Sequence, residues 1–143
     1  MAPDYAGYAV DMDKAMIVAG VGCRRGAGAP DIEAAIRAAL AYAGITAAEL
    51  NAIATSTVKQ NETGIRTAAA KLGLEVRPIA DAELKSAGAR VATRSDRVLA
   101  LTGVASLAEA AALAAAGPSA RLIARRIIVG AATCALASAD VPQ

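Results

Sequence analysis

Apolar and polar positions fall along this chain in blocks of changing period, and the blocks give its elements. Met16 to Gly22 is a short apolar run closed by glycines and predicts a buried strand. Cys23 to Gly28 follows as a polar, glycine-rich loop. Pro30 suits the first turn of a helix, with Asp31 and Glu33 at its positive end. Ile32, Ala35, Ile36, Ala39 and Leu40 recur at helical spacing, and Gly44 stops that helix. Thr46-Ala-Ala-Glu49 is a capping-box pattern for a short helical turn. Asn51 to Thr55 predicts a second buried strand, Ser56 to Glu62 a polar loop, and Thr63 to Leu72 a second main helix ended by Gly73.

Leu74 to Ile79 alternates and predicts a strand near a sheet edge, because Pro78 cannot donate to a ladder. Asp81 to Lys85 predicts a short helix capped by Asp81, and Ser95 caps another through Leu101, stopped near Gly103. Ser106-Leu-Ala-Glu109 is a clear capping box, and its helix runs to Ala116 before Gly117-Pro118. Two strands close the pattern, Arg121 to Arg125 and Ile128 to Leu136, the latter kinked at Gly130.

Strands and helices alternate, so the expected class is α/β: a three-layer α/β/α arrangement around a mostly parallel, mixed sheet of about five strands. The two last strands add an antiparallel edge. Residues 1–15 read as a leader, either docked by Tyr5 and Tyr8 or disordered, and residues 16–143 as one domain.

Composition sharpens the picture. The chain has 143 residues, 56% of them hydrophobic, but only 2% aromatic, with neither Phe nor Trp. Its core is therefore built from Ala, Val, Leu and Ile, which lets helices approach the sheet closely. The formal net charge is +2, too little to argue for nucleic acid, and the stacking side chains that single-strand binders use are missing. A few well-placed cations still suit a small anionic molecule. No His is present, which excludes a Ser–His–Asp triad and a His-ligated zinc. Cys23 and Cys134 form neither a disulfide framework nor a metal knuckle, so free thiols in a cytoplasmic protein are expected, with no metal and no cofactor. The acidic start does not fit a signal peptide, and no apolar stretch is long enough to span a bilayer.

Three loops could carry chemistry. The first is Gly20-Val-Gly22-Cys23-Arg24-Arg25-Gly26, between the first strand and the first helix. Ligands of open α/β sheets gather at the carboxyl ends of the strands, glycines admit close approach, and Arg24 and Arg25 can fork onto carboxylates. The plain alternative is a tight turn with two solvated arginines. The spacing is neither a dinucleotide fingerprint nor a P-loop. The second loop is Ser56-Thr57-Val-Lys59-Gln-Asn-Glu62-Thr-Gly64, where Lys59 and Glu62 can form an acid–base pair or sit as a solvated turn. The third is Gly103-Val-Ala-Ser106-Leu-Ala-Glu109, a helix cap whose free N–H groups could also meet an anion. Cys23 is a candidate nucleophile at a helix N-terminus, or a small buried residue. Cys134 reads as core, and Arg125-Arg126 more often as a solvated strand end than as a ligand clamp.

Taken together, these stretches resemble a known family. Val18 to Gly26, Thr55 to Lys59 with Glu62 and Gly64, Gly103 to Leu113, and Gly130 to Ala137 are similar to the motifs of the CobE and CbiG C-terminal domain family of cobalamin biosynthesis. The resemblance implies a role in making the corrin ring. CbiG proteins open a lactone on a cobalt-containing precorrin and carry further N-terminal domains; a chain of this length resembles the stand-alone members, which accompany the oxygen-dependent route.

The implied ligand is a precorrin or hydrogenobyrinic-type corrinoid, a flat apolar macrocycle fringed with carboxylates. The resemblance implies binding by Gly20, Gly22, Cys23, Arg24, Arg25, Gly26, Thr57, Lys59, Ser106 and Glu109. The protein is then a carrier or accessory factor that holds the intermediate unchanged. The alternative is a hydrolase on the ring lactone, drawing on Lys59, Glu62, Glu109 and Cys23. A third reading is a subunit that supports another pathway enzyme. Neither nucleic acid nor membrane is an expected partner.

Overall fold

A computed structural model describes residues 16–91 and 106–139. The expected leader and the expected helix from Ser95 to Leu101 lie outside the described residues, as does the Gly103 end of the third loop. In chain order the elements are β1 (Met16–Cys23), α1 (Ala29–Ala43), a 3₁₀ turn (Ala47–Glu49), β2 (Ala52–Ser56), α2 (Thr63–Leu72), β3 (Val76–Ile79), α3 (Asp81–Ala87), a second 3₁₀ turn (Gly88–Arg90), α4 (Leu107–Ala116), β4 (Arg121–Val129) and β5 (Ala132–Ala139).

The five strands form one mixed sheet in the order β3-β2-β1-β5-β4. β1 pairs in parallel with β2, and β2 with β3. β5 runs antiparallel to both of its neighbours, β1 and β4. The fold is therefore the expected α/β arrangement with a mixed sheet. β3 is an edge strand, where Pro78 costs no ladder bond.

Alternate residues of β1 divide the core. Ile17, Ala19 and Val21 face α1 and α2, meeting Ile32, Ile36, Ile65 and Ala68. Val18, with Ala54 and Ala137 of the adjacent strands, packs with Leu84 of α3 and with Ala110 to Leu113 of α4. That period of two is what a strand covered on both faces requires. The lack of aromatics shows in the spacing. A Cβ on Gly20 would run into the Ala108 carbonyl oxygen and lie 2.7 Å from the Ala112 nitrogen, so α4 rests almost directly on the backbone of β1.

Helix ends follow their sequence signals. Gly44 and Gly73 close α1 and α2 in the left-handed conformation, at φ 73° and 69°. The Ser106 hydroxyl accepts the Glu109 N–H to cap α4. Thr46 donates its N–H to Glu49, as the capping box requires. Two expectations need correction. Asp81 is the first helical residue of α3 and Ala80 is its cap. Gly130 does not kink a strand: β4 continues to Val129, and Gly130 (φ 56°) with Ala131 forms the turn into β5. An unbroken apolar run hides a turn whose only mark is one glycine.

No helix among the described residues is long and apolar enough to cross a membrane.

Candidate functional site

The carboxyl ends of β1 and β2 bring the first two loops together. After β1 the chain turns through Arg24 to Gly28, and after β2 through Thr57 to Glu62. Glu62 caps the entry to α2 by position, but its side chain reaches across: the Gly26 N–H donates to Glu62 Oε1 at 3.0 Å. Glu62 Oε2 lies 3.9 Å from Lys59 Nζ. Gly64 permits this closeness, because a Cβ there would strike the Ala27 carbonyl oxygen. Beneath the loops, buried Thr55 donates its hydroxyl to the Val21 carbonyl at 2.8 Å, tying the ends of β1 and β2.

Cys23 lies within electrostatic reach of both Lys59 and Glu62. Its thiol is nonetheless not activated. Burial pushes its pKa above the ordinary value, Lys59 pulls it back in part, and Glu62 raises it. Cys23 is the last residue of β1, five residues before Gly28 caps α1, so it does not hold the expected place at a helix N-terminus. Cys134 is fully buried in the core, and burial pushes its pKa up to about 12.

A cleft of about 280 Å³ opens beside this junction, on the α4 side of the sheet. Its floor is the end of β1 at Gly22 and Cys23, and its walls are the first turn of α4 and the β4–β5 hairpin. The hairpin is held firmly in place. Arg24 N–H donates to the Ala131 carbonyl at 2.9 Å, Ala131 N–H donates to Asp31 Oδ2 at 2.9 Å, and Thr133 donates its hydroxyl to the Gly22 carbonyl at 3.3 Å. Arg24 and Arg126 bring positive charge to the cleft, and Ile128, 60% exposed, gives it an apolar wall.

The expected site residues thus fall into three groups. Gly22, Cys23 and Arg24 line the cleft. Arg25, Gly26, Thr57, Lys59 and Glu62 belong to the adjoining loop pair outside it. Gly20, Ser106 and Glu109 are buried. Gly20 makes room for α4, Ser106 caps it, and Glu109 accepts the Arg126 backbone N–H through Oε2 at 2.8 Å. Arg126, Ile128 and Thr133 were not among the expected binding residues. The one available signal was the Arg125-Arg126 pair, which looked like a solvated end. Among the described residues, no group of three or more His, Cys, Asp or Glu side chains is placed to hold a metal ion.

Residues 17–137 match the model of the family described as cobalamin synthesis G C-terminus. The chain belongs to the cobalamin synthesis G C-terminal family. A curated relative in Sinorhizobium, protein CobE, is 36% identical over 121 residues, covering 85% of this chain and 79% of that protein. Among solved structures, CobE, a protein from the cobalamin (vitamin B12) biosynthetic pathway, superposes with a TM-score of 0.82 at 35% identity, covering 90% of this chain and 94% of that one. The cobalamin biosynthesis protein chiG of Agrobacterium tumefaciens str. C58 gives a TM-score of 0.67 at 37% identity, covering 85% and 97% of the two chains. This member of the family is therefore a protein of cobalamin biosynthesis. The family match spans both loops and both walls of the cleft, from β1 through most of β5.

Proposed function

We propose that this protein binds a carboxylate-rich corrinoid intermediate of the precorrin or hydrogenobyrinic type and carries it unchanged between steps of corrin synthesis in the cytoplasm. The observation that carries this reading is the cleft: an apolar wall from Ile128 and the hairpin beside the cations of Arg24 and Arg126. A flat apolar ring fringed with carboxylates asks for that pairing. At about 280 Å³ the cleft is just smaller than the usual small-molecule pocket, so it takes one edge of the macrocycle and leaves the rest outside. Arg25 and Lys59, on the neighbouring loops, extend the positive rim toward the exposed part of the ring.

Lactone hydrolysis is less well supported. It asks Cys23 or Glu62 to be reactive. Burial raises the thiol pKa, and the two oxygens of Glu62 already face the Gly26 N–H and Lys59.

The test is titration of the purified protein with hydrogenobyrinic acid and earlier metal-free precorrins, followed by absorbance, with the ligand mass measured afterwards. Binding with unchanged mass supports the carrier. A mass change overturns it in favour of catalysis. No binding leaves support of another pathway enzyme as the surviving reading. Arg24→Ala weakens binding by about 1–3 kcal/mol, the range for a charge-assisted contact.

A further inference from the structure

Between the pairs Ala124–Leu136 and Ile127–Cys134, β4 carries one residue more than β5. The strand therefore bulges at Arg125 and Arg126, which re-aims side chains and frees backbone groups from the ladder. The freed Arg126 N–H is taken by the buried carboxylate of Glu109, at 2.8 Å. Glu109 thus holds the bulge from the α4 side, and the side chain of Arg126 lines the cleft with Arg24.

Among the described residues, neither guanidinium has a carboxylate partner. Glu109 engages the backbone of Arg126 instead, and among the described residues the buried Arg126 Nε has no hydrogen-bond partner. A guanidinium keeps its charge at any ordinary pH. Half-buried and unpaired, it carries a desolvation cost that an arriving anion offsets. Ile128, two residues further along the same strand, supplies apolar surface next to the charge.

We propose that Arg126, positioned by Glu109, joins Arg24 in clamping one peripheral carboxylate of the ligand, so that the protein selects a corrinoid with free-acid side chains over an amidated one. The inference rests on the corrinoid-binding reading above. An amide brings no charge to the two guanidinium groups and turns N–H donors toward donors. The selection places the protein before any step that amidates the side chain it grips.

The experiment is titration of wild type and Arg126→Gln with hydrogenobyrinic acid and with its fully amidated counterpart. Wild type should prefer the acid by about ten-fold or more, the equivalent of one charge-assisted contact. Arg126→Gln should lose that preference by weakening for the acid alone. Arg37→Gln, on the exposed face of α1, should behave as wild type. Should Arg126→Gln fail to fold, the wild-type preference and Arg24→Gln at its exposed position carry the same test. Equal binding of acid and amide by wild type, or undiminished acid binding by the variant, overturns the clamp and leaves corrinoid binding standing. No binding of either form by wild type overturns both.

Discussion

The Gly26 N–H donates to the Glu62 carboxylate at 3.0 Å, and this one bond joins the loops that follow two neighbouring strands. Glu62→Ala should release the first loop at a stability cost of about 1 kcal/mol, as for a partly solvated hydrogen bond. Glu62→Gln keeps an acceptor and should cost less. Amide hydrogen exchange at Gly26 reads the difference directly: faster in the alanine variant, closer to wild type in the glutamine one.

The buried Glu109 replaces a sheet partner that β4 lost at its bulge. Glu109→Ala leaves the Arg126 N–H unsatisfied and removes a bond to a charged acceptor, so a loss of about 2–4 kcal/mol is expected in urea unfolding. Glu109→Gln, of the same shape, should recover part of it. Equal losses in the two variants would show that the charge, and not the acceptor atom, matters.

Gly20→Ala should be among the most damaging small changes available. The added methyl meets backbone atoms of α4, which cannot rotate away. A loss of about 3 kcal/mol or more is expected, at the upper end of overpacking. The same change at Gly26, whose φ is 75° with open space around it, should cost only the strain of that backbone region, about 1 kcal/mol. Thermal unfolding of the two variants side by side separates close packing from conformation.

Both thiols are protonated at neutral pH, because burial raises both pKa values. In the folded protein, alkylation of half-buried Cys23 should stay slow until the pH passes its ordinary value of 9.0, and Cys134 should react only on unfolding. The linkage has a definite sign. The unfolded chain releases the Cys134 proton near 9.0 while the folded one holds it to about 12, so the stability from this thiol is complete below pH 9 and declines above it. Cys134→Ala should flatten that alkaline decline.

Much of this was legible in the sequence, for reasons visible in particular residues. Pro30, Gly44 and Gly73 mark helix ends through local backbone rules, and Ser106 caps α4 as its spacing predicts. Pro78 correctly marked an edge. Local rules failed where a residue's partner is distant and the pairing irregular. Glu109 read as a helix-start carboxylate, yet its partner is a backbone N–H seventeen residues on, exposed by a bulge that no period announces. Gly20 read as room for a ligand, and the room is filled by a helix. Arg126 looked solvated because neither the bulge nor the hairpin turn at Gly130 could be counted from the apolar run around it.

The placement of β5 has a consequence for synthesis. Its partner β1 is the first strand among the described residues, and register pairs Met16 with Ala139. During translation the earlier strands and helices emerge with one side of β1 unpaired and half of the cleft missing. Such long-range closure is slow and exposes an unfilled strand edge meanwhile. The cleft is therefore completed only when β5 joins β1, and a chain cut before β5 should retain helices yet lack the cleft.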